Sequence, residues 1–123
     1  MTILIADDDR ILTQILSMRL KKVGYAVVVV YDAMQAIMAA LRNPPDAILL
    51  YVNMPGGTGL QVLRQLKNSI KTNQIPIIVI SGNVDSATVA TVKSLGTDAF
   101  LAKPPDFEQL EDILKARLSA AQV

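Results

Sequence analysis

Three consecutive carboxylates, Asp7, Asp8 and Asp9, follow the apolar run Thr2 to Ala6. Adjacent carboxylates repel one another, so a site for a divalent cation or an ammonium group explains them better than a solvated loop. Asp9 also stands just before the apolar positions change to helical spacing, where an N-cap belongs. Other polar residues end later apolar runs: Tyr51 and then Asn53 after Ala47 to Leu50, Ser81 after Ile75 to Ile80, and Lys103 after Ala99 to Ala102. Taken singly, each has an ordinary reading as a cap, a turn residue or a surface lysine. Their conjunction is specific, because each closes a different run. In open α/β sheets the reactive crevice lies beyond the carboxyl ends of the strands.

The totals narrow the chemistry. The chain has 123 residues, half of them hydrophobic and only 4% aromatic, so one core built from Val, Ile, Leu, Ala and Met is expected. A net charge of +1 gives no general affinity for nucleic acid or a membrane surface. Without Cys there is no disulfide, thiol catalysis or zinc-thiolate site, which fits a reducing cytoplasm. Without His the commonest general base and transition-metal ligand are missing. No apolar run approaches the roughly 18 residues of a membrane span, and Met1 leads into a strand rather than a basic leader. A cytoplasmic protein is the expectation.

The elements that must position these residues alternate. Thr2 to Ala6 is expected as a buried strand. A helix follows in which Ile11, Ile15 and Met18 stack while Leu12, Leu16 and Leu20 widen the stripe. Lys21, Lys22 and Gly24 end it. Tyr25 to Val30 is a second strand, and Asp32 caps a helix through Met34, Ile37, Met38 and Leu41 that stops before Asn43-Pro44-Pro45. The third strand runs into Tyr51 and a turn containing Asn53, Pro55, Gly56, Gly57 and Gly59. A helix is expected over about 58–70, a strand over Ile75 to Ile80 with Pro76 near its start, and a weaker helix over about 85–95. Ala99 to Ala102 form the last strand, and Asp106 with Gln109 has the spacing of a capping box opening a final helix. Five strand–helix alternations imply one compact domain: a doubly wound parallel sheet with right-handed crossovers and helices on both faces. Phosphate-binding first loops use glycines and bare backbone N–H groups, whereas three negative charges stand here. They would repel a phosphate unless a cation were bound, so a flavin or dinucleotide site is not expected at that loop.

The chain resembles the receiver domain of bacterial two-component response regulators from Ile3 almost to the C-terminus. The matching stretches are I-L-I-A-D-D-D at 3–9, P-D-A-I-L-L-Y-V-N-M-P-G at 45–56, P-I-I-V-I-S-G at 76–82 and F-L-A-K-P at 100–104. The resemblance implies a flavodoxin-like (βα)5 fold with strand order 2-1-3-4-5. It also implies an Mg²⁺ site at Asp7 and Asp8, completed by the backbone carbonyl of Asn53. By the same likeness Ser81 and Lys103 would contact a phosphoryl group, a cis proline would stand at Pro104, and Phe100 would report activation by rotating inward.

One position departs from the family pattern. Where the family carries its phosphoacceptor aspartate, this chain has Tyr51. A phenol ionises only near about pH 10, is a poor Mg²⁺ ligand, and is too long and rigid to place its oxygen where a carboxylate oxygen would stand. The expectation is a pseudo-receiver with a weak or absent Mg²⁺ site, in which Lys103 pairs with Asp7 or Asp8 and the Tyr51 hydroxyl joins them. Such a protein would act by protein–protein contact through a face formed by residues 85–95, 98–102 and 106–118. Its partners would be a histidine kinase, a phosphotransfer protein, another receiver or a second copy, with no output domain for DNA. Two alternatives remain open in the residues. The first is a receiver phosphorylated on Asp7 or Asp8. The second is a small Mg²⁺-dependent phosphohydrolase of the haloacid dehalogenase type using Asp7, Asp9, Ser81 and Lys103.

Overall fold

The computed structural model describes residues 1–52, 59–82, 86–97 and 99–121. Strands and helices alternate: β1 Thr2–Ala6, α1 Arg10–Lys22, β2 Ala26–Val30, α2 Ala33–Arg42, β3 Ala47–Tyr51, α3 Gly59–Lys67, β4 Ile77–Ser81, α4 Ser86–Ser94, β5 Ala99–Ala102 and α5 Phe107–Ala121. All four strand pairings are parallel, and the sheet order is β2-β1-β3-β4-β5. This is an α/β flavodoxin-like sheet with helices on both faces.

The core divides along the pleat, because successive strand residues point to opposite faces. Ile3, Ile5, Leu49, Ile78 and Ile80 pack against Leu12, Leu16 and Leu20 of α1 and Leu110, Leu114 and Leu118 of α5. Leu4, Ile48, Leu50, Ile77 and Val79 face Ala33, Ala36 and Ala40 of α2, Val62, Leu63 and Leu66 of α3, and Val92 of α4. The central strands β1, β3 and β4 are thus covered on both sides, which is why they read as unbroken apolar runs.

Capping fixes where the helices start. Asp9 Oδ1 accepts from the N–H groups of Ile11 and Leu12 at 3.1 and 3.0 Å, Asp32 Oδ1 from Gln35 at 2.8 Å, and Asp106 Oδ1 from Glu108 and Gln109 at 2.9 and 3.2 Å. Each carboxylate satisfies backbone donors that a helix leaves without partners. Among the described residues no helix is long and apolar enough to cross a membrane.

Several boundaries and faces differ from the sequence expectation. In α1 only Leu12, Leu16 and Leu20 enter the core with Thr13, whereas Ile11, Ile15 and Met18 lie exposed. One stripe is buried against the sheet rather than a widened one. Helix α3 stops at Lys67 rather than near Ile70, because the Thr72 hydroxyl donates to the Leu66 carbonyl at 2.6 Å and turns the chain away. Ile70 is left almost wholly exposed. Strand β4 begins at Ile77 and includes Ser81; Pro76, which has no N–H, contributes only its carbonyl, accepting from Ile48 at 3.0 Å. Strand β2 starts one residue later than expected, at Ala26. The turn expected at 53–58, with its Asn53 carbonyl, lies outside the described residues.

Candidate functional site

The carboxyl ends of β1, β3, β4 and β5 open on the same edge of the sheet, and the loops there bring Asp7, Asp9, Tyr51 and Lys103 together. Asp7 continues β1 and is only 2% exposed. Its backbone N–H donates to the Val30 carbonyl at 3.2 Å, which ties the acidic loop to the end of β2. Its Oδ1 accepts from the Asp9 N–H at 2.9 Å and from Lys103 Nζ at 3.3 Å. Its Oδ2 is buried and has no hydrogen-bond partner among the described residues. Lys103 Nζ also lies 3.7 Å from Asp9 Oδ2, and its side chain is 18% exposed.

The third contact of the ammonium is aromatic. Lys103 Nζ stands 3.8 Å from the centroid of the Tyr51 ring, within the range where a ring face attracts a cation. Tyr51 is half-buried at the end of β3, in register with Ile80 of β4. Its hydroxyl reaches the side of Gly82, where an added Cβ would stand 3.9 Å away. The ammonium is therefore enclosed by two carboxylates and one ring. Asp8 is exposed and makes no ion pair among the described residues. The expected pairing of Lys103 with Asp7 is present, Asp9 is an additional carboxylate that was not expected, and Tyr51 contributes its ring face rather than its hydroxyl. Asp9 can reach because its helix-capping geometry leaves Oδ2 free to turn toward the lysine.

Burial pushes the Asp7 carboxyl above the ordinary aspartate range. The Asp9 N–H and the Lys103 ammonium oppose this, and the neighbouring Asp8 charge adds to the rise. Asp9 shifts the other way, held down first by the Leu12 N–H and then by Lys103 and the Ile11 N–H against some desolvation. Two adjacent carboxylates thus have separate environments, one dry and one stabilised by a helix N-terminus.

Ser81 is fully buried, and its carbonyl accepts from the Lys103 N–H at 2.9 Å. The Lys103–Pro104 peptide is cis. Phe100 is half-buried and packs on the α2–α3–α4 side of the core, in register with Val79. A further residue has a role that pattern reading missed. At Gly59, the first residue of α3, a Cβ would lie 2.5 Å from the Tyr51 carbonyl oxygen and 2.6 Å from Val52 Cα. Its N–H also donates to the Val52 carbonyl. Only glycine permits this approach, which fixes α3 against the strand end carrying Tyr51. The glycines after the strand were the available signal, and the close contact is what selects Gly59 among them.

Mg²⁺ demands near-octahedral oxygen coordination. Asp7 Oδ2 is an oxygen of the right kind, but among the described residues no group of three or more acidic side chains converges to hold a metal. Asn53 lies outside the described residues. Asp7 Oδ1 is already taken by the Lys103 ammonium, a cation where a divalent ion would need further anionic ligands. The described donor set does not fit the ion, and no chemical step is routed through it.

A five-stranded parallel sheet of this order, with an acidic loop after β1 and a lysine–cis-proline pair after β5, defines a flavodoxin-like receiver architecture. The chain belongs to the response regulator receiver domain family, whose pattern matches residues 3–115. It is similar to the signal receiver domain of a signal transduction histidine kinase from Syntrophus aciditrophicus, with 28% identity over 97% of this chain and 90% of that one and a TM-score of 0.89. Similarity extends to the receiver domain of a sensor histidine kinase from Pseudomonas aeruginosa PAO1, at 27% identity over 96% and 97% of the two chains with a TM-score of 0.88. That structure holds a magnesium ion coordinated in its active-site cleft. The chemotaxis response regulator CheY4 of Vibrio cholerae matches at 26% identity over 94% and 97%, with a TM-score of 0.87. The protein is a receiver domain of two-component signalling. Members of this family work as signalling modules that meet histidine kinases and phosphotransfer proteins and commonly bind Mg²⁺.

Proposed function

We propose that this chain is a pseudo-receiver: a single receiver domain that does not take up phosphoryl and relays its signal by shape. Tyr51 stands at the phosphoacceptor position and Asp7, Asp8 and Asp9 form the acidic pocket. Ser81, Phe100, Lys103 and Pro104 keep the phosphoryl-contact and switch positions of the family without the chemistry. The observation that carries this reading is the Lys103 ammonium seated 3.8 Å over the Tyr51 ring and 3.3 Å from Asp7. A lysine placed to meet a phosphoryl oxygen is instead satisfied within the protein. Tyr51 offers a phenol rather than a carboxylate at the acceptor position, and Mg²⁺ binding is weak or absent.

The Tyr51 hydroxyl beside Gly82 supports a second element of the reading. The ring spans from β3 to the start of the β4–α4 connection and restrains it, so Ser81 and Phe100 hold one arrangement. The surface formed by α4, β5 and α5 then presents that arrangement to a histidine kinase, a phosphotransfer protein, another receiver or a second copy. Adding Mg²⁺ and beryllofluoride, which mimic a phosphorylated receiver, tests this in the two-dimensional amide NMR spectrum. The expected result is no shift at Ser81, Phe100 or Lys103 in the native protein and clear shifts in Tyr51→Asp. Saturable shifts in the native protein at those positions would overturn the proposal.

A further inference from the structure

Helix α2 is packed against the usual rule. Its core face consists of alanines, with Ala33, Ala36 and Ala40 buried, while Met34 and Met38 face solvent and Ile37 only edges onto the core. Met34 is 64% exposed, Met38 is 51% exposed, and Ile37 and Leu41 are only partly covered. Positions 34, 37, 38 and 41 follow the i, i+3, i+4, i+7 spacing of a helix-packing stripe. A helix that is apolar on two sides is ordinarily covered on both. Here α3 covers the second side in part, leaving a groove of about 420 Å³ between the two helices, lined by Ala33, Met34 and Ile37 on one wall and Gln61, Arg64 and Gln65 on the other.

The charge on these two helices has one sign. Neither A-M-Q-A-I-M-A-A-L-R nor G-L-Q-V-L-R-Q-L-K contains an acidic residue. Arg64 stands in the groove wall and Arg42 at the end of α2, and neither makes an ion pair among the described residues. We propose that the α2–α3 groove is a docking site for an acidic amphipathic helix of a partner protein. Such a helix, about 10 residues long to match α2, would set apolar anchors at helical spacing between Met34, Ile37 and Met38. Its flanking carboxylates would meet the guanidinium groups of Arg64 and Arg42, which suit bidentate pairing. Methionines adapt their shape to such anchors. A second copy of this chain is disfavoured as occupant, because two α2–α3 faces would oppose arginine to arginine. A lipid surface is disfavoured because the stripe has no aromatic residue to sit at the interface. The inference is independent of the reading of Tyr51.

The test uses the full chain and two labelled model peptides that share leucines at i, i+3, i+4 and i+7, one with glutamate flanks and one with lysine flanks. Fluorescence anisotropy is expected to show saturable binding of the glutamate peptide and binding of the lysine peptide weaker by roughly tenfold or more. Arg64→Glu is expected to reverse the preference, and Met38→Gln to weaken both. Both sites are exposed, and circular dichroism confirms that the variants fold; the peptide pair on the native protein needs no variant. Amide shifts are expected to map to residues 33–42 and 61–67. The proposal is overturned by absence of saturation up to about 1 mM, by equal binding of the two peptides, or by shifts confined to α1. Self-association in sedimentation velocity that Met38→Gln abolishes, or cosedimentation of the protein with phosphatidylglycerol vesicles, would equally overturn it.

Discussion

Replacing Lys103 by Met keeps most of the apolar stem and removes the charge that Asp7, Asp9 and the Tyr51 ring enclose. Asp7 would then hold a dry carboxylate whose remaining partner is the Asp9 N–H. Breaking a buried ion pair from one side costs about 3–5 kcal/mol when the orphaned charge cannot escape. Asp7 can escape by binding a proton, which sets a ceiling. The unfolded carboxyl titrates near about 3.9, and each pH unit above that is worth about 1.4 kcal/mol, so the ionisation-linked loss cannot exceed about 4 kcal/mol at pH 7 or about 1 kcal/mol at pH 4.5. The sign is fixed by direction. Burial already holds the folded pKa of Asp7 above its unfolded value, and removing Lys103 raises it further. The penalty is complete above the new folded pKa and vanishes as pH falls toward the unfolded one. The lost cation–π contact adds about 0.5–1 kcal/mol at any pH. Urea unfolding is therefore expected to show Lys103→Met destabilised by about 2–4 kcal/mol at pH 7 and by about 1 kcal/mol at pH 4.5, with an unchanged m-value. A pH-independent loss, or one below about 0.5 kcal/mol at pH 7, would refute the enclosed-ammonium geometry.

Further outcomes follow from the same contacts. Asp7→Asn keeps an oxygen acceptor for the Asp9 N–H and removes a charge whose burial is costly, so the urea midpoint is expected to rise at pH 7, with the gain shrinking as pH approaches 4. Tyr51→Phe is expected to be nearly neutral in thermal unfolding, because the ring face meets Lys103 and the hydroxyl only touches the side of Gly82. Tyr51→Ala should cost about 2 kcal/mol, half the range for a fully buried ring. Gly59→Ala drives a Cβ into the Tyr51–Val52 backbone and is expected to cost about 2–3 kcal/mol, visible as a lowered thermal midpoint. Asp9→Ala should lower that midpoint at neutral pH and matter less as pH falls through the depressed Asp9 pKa, since the cap is strong only while ionised.

The fold was legible because its signals were local. Unbroken apolar runs marked β1, β3 and β4, and Asp9, Asp32 and Asp106 marked helix starts that each proved to be a hydrogen-bonded cap. Periodicity could not decide which apolar stripe of a helix faces inward. In α1 the leucines won over Ile11, Ile15 and Met18, and in α2 the alanines won over the methionines. Both outcomes depend on how near the helix lies to the sheet, a distance no single segment encodes. The site was legible as a set of strand ends, since Asp7, Tyr51, Ser81 and Lys103 each close a run. Its internal pairing was legible only for Lys103 with Asp7; the added contact with Asp9 and the use of ring face over hydroxyl depend on angles set by the whole edge. The close approach at Gly59 was hidden for the same reason.

Intact-mass spectrometry after incubation with phosphoramidate and Mg²⁺ addresses the chemistry at Tyr51 most directly. The native chain is expected to keep its mass, while Tyr51→Asp gains one phosphoryl group that is lost again on standing at neutral pH. A phosphoryl group on the native chain, whether at Tyr51, Asp7 or Asp8, would contradict the pseudo-receiver reading.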